Sequence, residues 1–149
     1  MQMKAVEQVA GQLAIQIDFL QVRTRADFEE AFASAIRLHA DAVVMLSDAV
    51  IGTNLQTFAD LVVHHRLPAI TLYPDFARAG GLLAYGPDTL DAYRQAGTII
   101  GKVLKGAKPA ELPIEVPTRF PLVLNLRAAK TLGLSIPTGI LVRADEVIE

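Results

Sequence analysis

The sequence contains no cysteine, which excludes disulfide bonds, thiolate metal sites and a cysteine nucleophile but leaves the cellular compartment open. It has no apolar run approaching the ~18 residues that a helix needs to span a bilayer. Its basic residues are scattered and the formal net charge is -2, so no basic surface for nucleic acid is indicated. We therefore expect neither a disulfide scaffold, nor a membrane span, nor a nucleic-acid partner.

What the sequence does have is a high apolar content. Hydrophobic residues make up 52% of its 149 residues, and the mean hydropathy is +0.35. These values suit an α/β fold, because parallel strands covered by helices on both faces are apolar along their whole length. The length allows one domain with a sizeable core.

The first half of the sequence alternates between predicted helices and strands. Apolar residues recur at helical spacing in three segments, 4–13, 28–36 and 55–62. Apolar runs predict strands over 16–22, 41–47 and 69–72. Thr24 and Asp27 resemble a capping box before the second helix, and Thr53 or Asn54 can cap the third. This alternation predicts a doubly wound parallel sheet built from βαβ units.

The second half is less regular. A proline-bounded connector and the Gly80-Gly81 break precede a predicted strand over 82–85. Asp88 then caps a helix whose predicted buried stripe contains Leu90, Tyr93, Gly97, Ile100 and Leu104. The prolines of 107–121 predict a stiff extended connector. A strand over 122–124, a short helix capped by Asn125, and a surface-packed tail complete the prediction.

One long pattern resembles a known family. It is GGLLAYGPDTLDAYRQAGTIIGKVLKGAKPAELPIEVPTRFPLVLNLRAAKTLGLSIP, residues 80–137. The pattern looks like the C-terminal part of the solute-binding components of ABC transporters, in the branch with the type I periplasmic-binding-protein fold. The preceding ADAVVMLSDAV and HRLPAI are similar as well. The resemblance covers essentially the whole chain but only about half of such a protein, which predicts a truncated form lacking most of the first lobe.

The resemblance implies a receptor in which two α/β lobes close on a small solute and deliver it to an ABC permease of the inner membrane. It implies no cofactor and no catalysed reaction. By the same resemblance, residues 1–72 are the second-lobe core and 73–106 are a crossover strand and helix of the first lobe. Residues 107–149 are the return connector, strand, short helix and tail. The incomplete lobe also predicts self-association, for example as a homodimer.

The expected location has two parts. The family resemblance implies a periplasmic or membrane-anchored extracytoplasmic protein. The amino-terminal sequence MQMKAVEQVAGQ, however, has no apolar region typical of a signal peptide. From its own sequence this chain would therefore stay in the cytoplasm.

Ligands in doubly wound folds lie beyond the carboxyl ends of the parallel strands. This rule selects six residues that end or follow predicted strands: Ser47, Asp48, Tyr73, Tyr85, Gly86 and Asp88. Asp48 suits a ligand ammonium group, Ser47 a carboxylate, and the tyrosine rings an apolar or aromatic body, which favours an amino-acid-like solute. Other roles stay open, because Asp48 and Asp88 can be helix caps, and Tyr73 can fill the hinge. Tyr93 is expected in the core.

Other chemistry has weaker support. His64 and His65 are adjacent on a helix, so their side chains are expected to diverge by about 100° and not to share a metal ion. A receiver-like signalling domain is an alternative, since VVMLSDA resembles a strand ending in an acceptor aspartate, but the first predicted strand lacks an acidic pair. A doubly wound α/β enzyme is the other alternative, but no set of catalytic acid, base and nucleophile is apparent.

Overall fold

A computed structural model describes residues 2–149 and contains one five-stranded sheet with the strand order β1-β2-β3-β4-β5. The strands are β1 (Val43–Met45), β2 (Ala69–Thr71), β3 (Leu83–Tyr85), β4 (Leu122–Asn125) and β5 (Glu146–Ile148). Neighbouring strands are parallel except β3 and β4, which pair antiparallel. This mainly parallel sheet confirms the predicted α/β fold class.

Eight α-helices connect and flank these strands within the described residues. They are α1 (Gln2–Leu13), α2 (Phe28–Arg37), α3 (Ala49–Gly52), α4 (Leu55–His65), α5 (Pro74–Arg78), α6 (Thr89–Leu104), α7 (Leu126–Thr131) and α8 (Thr138–Leu141). Single turns of 3-10 helix cover Arg25–Asp27 and Pro109–Glu111. Within residues 2–149, none of these helices combines the length and apolarity needed to cross a bilayer.

The main core lies between the sheet and the helix pair α2 and α4. The ring centroids of Phe28 and Phe58 are 4.0 Å apart, and Phe32 lies 6.1 Å from Phe58. Met45 of β1 and Phe76 of α5 belong to the same buried cluster. Burying one such side chain contributes about 1.5–3 kcal/mol. The predicted apolar stripes of α2 and α4 are thus confirmed at their aromatic positions.

The Asp27 and Asn125 capping signals are confirmed, whereas Asn54 precedes α4 without a side-chain capping bond. The Asp27 carboxylate accepts hydrogen bonds from the backbone N–H groups of Thr24 at 2.8 Å and Arg23 at 2.9 Å. These bonds hold the pKa of Asp27 below its usual value. Asn125 accepts from the Ala128 N–H at 2.9 Å and donates to the Ala77 carbonyl at 2.8 Å. The Asn125 cap therefore also joins β4 to α5.

The predicted strand over 16–22 is wrong, because these residues form no regular structure. A strand is stable only when its backbone groups pair with a neighbour. In the described sheet, β1 is the edge strand and pairs with β2 alone. Residues 16–22 do not pair with the free edge of β1, so their backbone forms no ladder.

The predicted burial of the α6 stripe is also wrong. No residue of α6 is buried, and Tyr93 and Leu104 are 73% and 82% exposed. The helix itself is correctly predicted, with the Asp88 carboxylate accepting from the Asp91 N–H at 3.0 Å. Amphipathic spacing shows which face can be buried but does not supply the surface that covers it.

Four further elements were not predicted, namely α3, α5, α8 and β5. Helix α5 lies in the segment interpreted as a connector, and β5 lies in the tail. Strand β5 pairs in parallel with β4, with Leu124 opposite Val147. Its short, charged sequence gives little strand signal, so its pairing with β4 depends on tertiary contacts.

We expect Phe76→Ala to lower the free energy of unfolding by about 3–5 kcal/mol, because the ring is fully buried and its removal leaves a cavity. The matched control is Tyr93→Ala on α6, which should change stability by no more than about 0.5 kcal/mol. Urea unfolding followed by circular dichroism measures both. A large loss for Tyr93→Ala would contradict the exposed position of α6.

Candidate ligand-binding site

The candidate site is the sheet edge formed by the carboxyl ends of β1, β2 and β3. These strands run parallel with Met45 opposite Thr71, and Thr71 opposite Ala84. All six predicted residues end or follow these strands and so lie along this edge: Ser47, Asp48, Tyr73, Tyr85, Gly86 and Asp88.

Three of the six converge around the Tyr73 hydroxyl. The Tyr73 Oη lies 3.4 Å from Ser47 Oγ and donates to the Asp48 backbone carbonyl at 3.2 Å. A Cβ atom on Gly52 would lie only 3.2 Å from the Tyr73 ring, so the glycine allows the ring to pack closely against α3. The ring is thereby fixed between the loop after β1 and the loop after β2.

Asp48 is a helix cap in this structure. Its Oδ1 atom accepts from the Val50 N–H at 2.7 Å at the start of α3. The capping interpretation is therefore confirmed, and a contact with ligand remains a separate prediction. Of Asp48, only the backbone carbonyl contacts the Tyr73 hydroxyl.

The other three residues form a second group after β3. The Tyr85 side chain is 51% exposed, and its ring centroid is 6.3 Å from that of Phe120. A Cβ atom on Gly86 would lie 2.3 Å from the Leu72 carbonyl oxygen, so only glycine fits between the ends of β2 and β3. Asp88 caps α6 and lies 3.4 Å from an Arg119 guanidinium nitrogen.

A cavity of about 210 Å³ reaches one residue of each group, Ser47 and Tyr85. It is lined by Val44, Met45, Leu46, Ser47, Ile70, Thr71, Leu72 and Tyr85. Thr71 is 2% exposed, and its hydroxyl has no hydrogen-bond partner among the described residues. Leaving a buried polar group without a partner costs about 1–3 kcal/mol. Thr71 lines this cavity, a position that the sequence did not suggest.

A second, charged cavity of about 360 Å³ lies beside Asp88. Arg78 donates two hydrogen bonds to Glu146, at 2.6 and 3.1 Å, and a third to Asp75 at 2.8 Å. The hydrogen bonds from Arg78 hold the pKa of Glu146 below its usual value, and those to Glu146 and Asp75 raise the pKa of Arg78. This ion-pair group was not predicted because it needs β5 to be placed beside β4.

Metal-ligating side chains come together elsewhere. Within residues 2–149 the group found consists of Glu29, His64 and His65. The two imidazole ring centroids are 4.7 Å apart, so the rings lie closer together than the expected divergence of about 100° implies. These histidines precede β2, whereas the candidate ligand site follows it.

The chain matches the family described as ABC transporter substrate binding protein over residues 1–148. It therefore belongs to this family of solute-binding proteins, which supports the predicted class over a receiver domain or an enzyme. The chain matches none of the curated proteins with which it was compared.

Solved structures agree with this assignment. A conserved domain protein from Vibrio cholerae is 21% identical and superposes with a TM-score of 0.89, over 97% of this chain and 49% of its own. An ABC domain from Streptococcus pneumoniae in complex with L-Trp is 25% identical, with a TM-score of 0.86 over 99% of this chain and 51% of its own.

A ligand-free, open substrate-binding protein with adhesive properties from Clostridium difficile is 16% identical. It superposes with a TM-score of 0.69 over 99% of this chain and 49% of its own. The chain thus spans about half the length of the solved structures that it matches.

We expect Gly86→Ala to lower the free energy of unfolding by about 1–3 kcal/mol, because its Cβ would collide with the Leu72 backbone. Gly97→Ala on α6 is the matched control. No atom lies within 4 Å of its Cβ position, and alanine favours a helix by up to about 1 kcal/mol. Equal effects of the two substitutions in chemical denaturation would contradict the close approach of β2 and β3.

The Arg78–Glu146 ion pair predicts a pH dependence of stability. Its carboxylate has a folded pKa below the ordinary 4.5, so its stabilisation is complete above that pH and is lost as the pH falls through the folded pKa. Glu146→Gln should therefore reduce the acid-induced decline in the urea midpoint between neutral pH and pH ~3. Because Glu146 is partly exposed, 1 M salt should also weaken the effect. An unchanged pH profile in the variant would contradict this role.

Proposed function

We propose that this chain supplies one lobe of an ABC-transporter solute-binding protein, which captures a small molecule by lobe closure and catalyses no reaction. The observation that carries this proposal is the convergence of Ser47, Asp48 and Tyr73 at the carboxyl edge of the sheet in a chain of this family. Ligands of doubly wound folds bind at such edges. Closure is driven by contacts that the ligand makes only in the closed state.

We further propose an amino-acid-like ligand with an apolar or aromatic side chain. The L-Trp complex of the Streptococcus pneumoniae relative supports this class. In this chain, the Ser47 hydroxyl group can donate to a ligand carboxylate, and the Asp48 carboxylate can accept from an ammonium group. The Tyr73 hydroxyl donates its proton to the Asp48 carbonyl, so its oxygen can also accept from an ammonium group. The exposed Tyr85 ring beside Phe120 offers a surface for an apolar body. Gly86 and Asp88 shape the adjoining turn.

The lobe assignment stays a proposal, in which residues 1–72 form the second-lobe core and 73–106 contain the crossover to a first lobe. Strand β3, expected to be the crossover strand of the first lobe, pairs with β2 of the 1–72 core and with β4. We therefore propose to move the crossing point from the segment before β3 to a position after Tyr85. No residue of α6 is buried in this chain. This exposure is consistent with a helix whose apolar face packs against the other lobe of the complete receptor. The return then runs through the exposed 107–121 segment, where Ile114 is 96% exposed, and 107–149 complete the chain.

The partners follow from the family. We propose that the complete receptor acts outside the cytoplasm, in the periplasm or anchored to the membrane, and delivers its solute to an ABC permease. Self-association through the exposed face of α6 is a further prediction of the sequence. Analytical ultracentrifugation as a function of concentration would measure it, and a strictly monomeric, folded chain would contradict it.

L-Trp binding tests the proposed ligand class directly, since the chain contains no tryptophan and the ligand's own fluorescence can be followed. We expect saturable binding that L-Leu displaces and a neutral sugar does not. Tyr85→Ala should weaken the affinity by about threefold to tenfold through loss of ring contact. Tyr93→Ala, which removes an exposed tyrosine of α6, is the matched control and should leave the affinity unchanged.

Two results would contradict the proposal. Displacement by sugars but not by amino acids would retain a solute-binding role and overturn the ligand class. Equal weakening by Tyr85→Ala and Tyr93→Ala would place the ligand away from the carboxyl edge of β3. Ser47→Ala and Tyr73→Phe then distinguish the two hydroxyl groups, because each variant removes one of them.

A further inference from the structure

Three metal-ligating side chains meet where α2 packs against α4. Glu29 lies in the first turn of α2, and His64 and His65 are the last two residues of α4. One ligand atom from each residue can be chosen so that all lie within 4.8 Å of one another. The His65 Nε2 atom is already 3.0 Å from Glu29 Oε1.

One member of this group, His65, packs against the buried core. The His65 ring stacks on Phe32 with a centroid distance of 5.7 Å and an interplanar angle of 18°, and its side chain is only 14% exposed. Phe32 is buried against Phe58, which belongs to the same helix as the two histidines. The two helices are therefore fixed relative to each other, and His65 has one fixed ring orientation.

The other two ligands are free to adjust. His64 and Glu29 are exposed, and the His64 ring is nearly perpendicular to that of His65. Donors around one zinc ion at 2.0–2.2 Å are about 3.4 Å apart in a tetrahedron. Side-chain rotation of His64 and Glu29 covers the remaining difference from 4.8 Å, without any movement of the helices.

The donor chemistry selects the class of ion. Imidazole and carboxylate ligands suit zinc and its neighbours nickel and copper, whereas magnesium prefers oxygen ligands alone. The carbonyl end of α4, where both histidines lie, adds a negative electrostatic contribution that favours a cation. Three protein ligands leave one position of a tetrahedral ion for water.

We propose that Glu29, His64 and His65 bind one zinc-class divalent cation that links α2 to α4. The site lies on the helix pair at the start of β2, away from the candidate ligand site, and does not depend on the proposed solute-binding function. An ion that binds the folded chain and not the unfolded chain stabilises the folded chain by mass action. The ion thus adds a cross-link between two helices that are otherwise joined by aromatic packing.

Zinc titration of the tag-free chain tests the site, with binding measured by calorimetry and stability by thermal unfolding. We expect one ion per chain and a rise in the unfolding midpoint of about 5–10 °C when zinc is 100-fold above its Kd. Cobalt should give the visible absorption of a four-coordinate ion, and magnesium should give no stabilisation. A stoichiometry other than one, or equal stabilisation by magnesium, would overturn the proposal.

Variants identify the ligands. His64→Ala and Glu29→Gln change exposed side chains and should keep the fold, yet each should weaken zinc affinity at least about tenfold, the loss that follows removal of even an outer-shell partner. His39→Ala removes the one histidine of the sequence that is not a proposed ligand, and it should keep full zinc affinity. Retained binding in the first two variants, or lost binding in the His39 variant, would show an adventitious ion only and overturn the assignment.

Discussion

The parallel pairing of β1, β2 and β3 determines where every candidate ligand-site residue lies. Since the three strands point the same way, the loops that follow them meet at one edge of the sheet. Residues from distant parts of the sequence, such as Ser47 and Tyr73, are thereby brought within hydrogen-bond distance. The site is a consequence of strand direction, and its chemistry depends on which side chains occupy the loops.

Leu72 and Gly86 keep this edge compact. The absence of a side chain at Gly86 lets the chain after β3 approach the Leu72 carbonyl, and Gly52 lets α3 approach the Tyr73 ring. Both contacts are short because glycine has no Cβ atom to keep the neighbouring group away. The conformational entropy that each glycine loses on folding is offset by this closer packing. One residue of each group, Ser47 and Tyr85, consequently lines the same cavity.

Features set by local interactions could be predicted from the sequence. The Asp27, Asp88 and Asn125 caps, the apolar stripes of α2 and α4, and the strand ends are examples, because each needs only residues a few positions apart. The resemblance over 80–137 added the family. The helix of α5 and the pairing of β5 depend on tertiary contacts that no local pattern carries. The orphaned Thr71 hydroxyl, the Arg78–Glu146 pair and the approach of Glu29 to His65 were unpredictable for the same reason.

The antiparallel pairing of β3 with β4 closes a long loop that contains α6 and the extended connector. None of the residues of α6 is buried, so the loop adds little to the packing that holds the sheet together. The entropic cost of closing a flexible loop grows only slowly, by about 0.6 kcal/mol for each doubling of its length. The segment between Asp88 and Arg119 can therefore change in length at little cost to the folding of the sheet from which it projects.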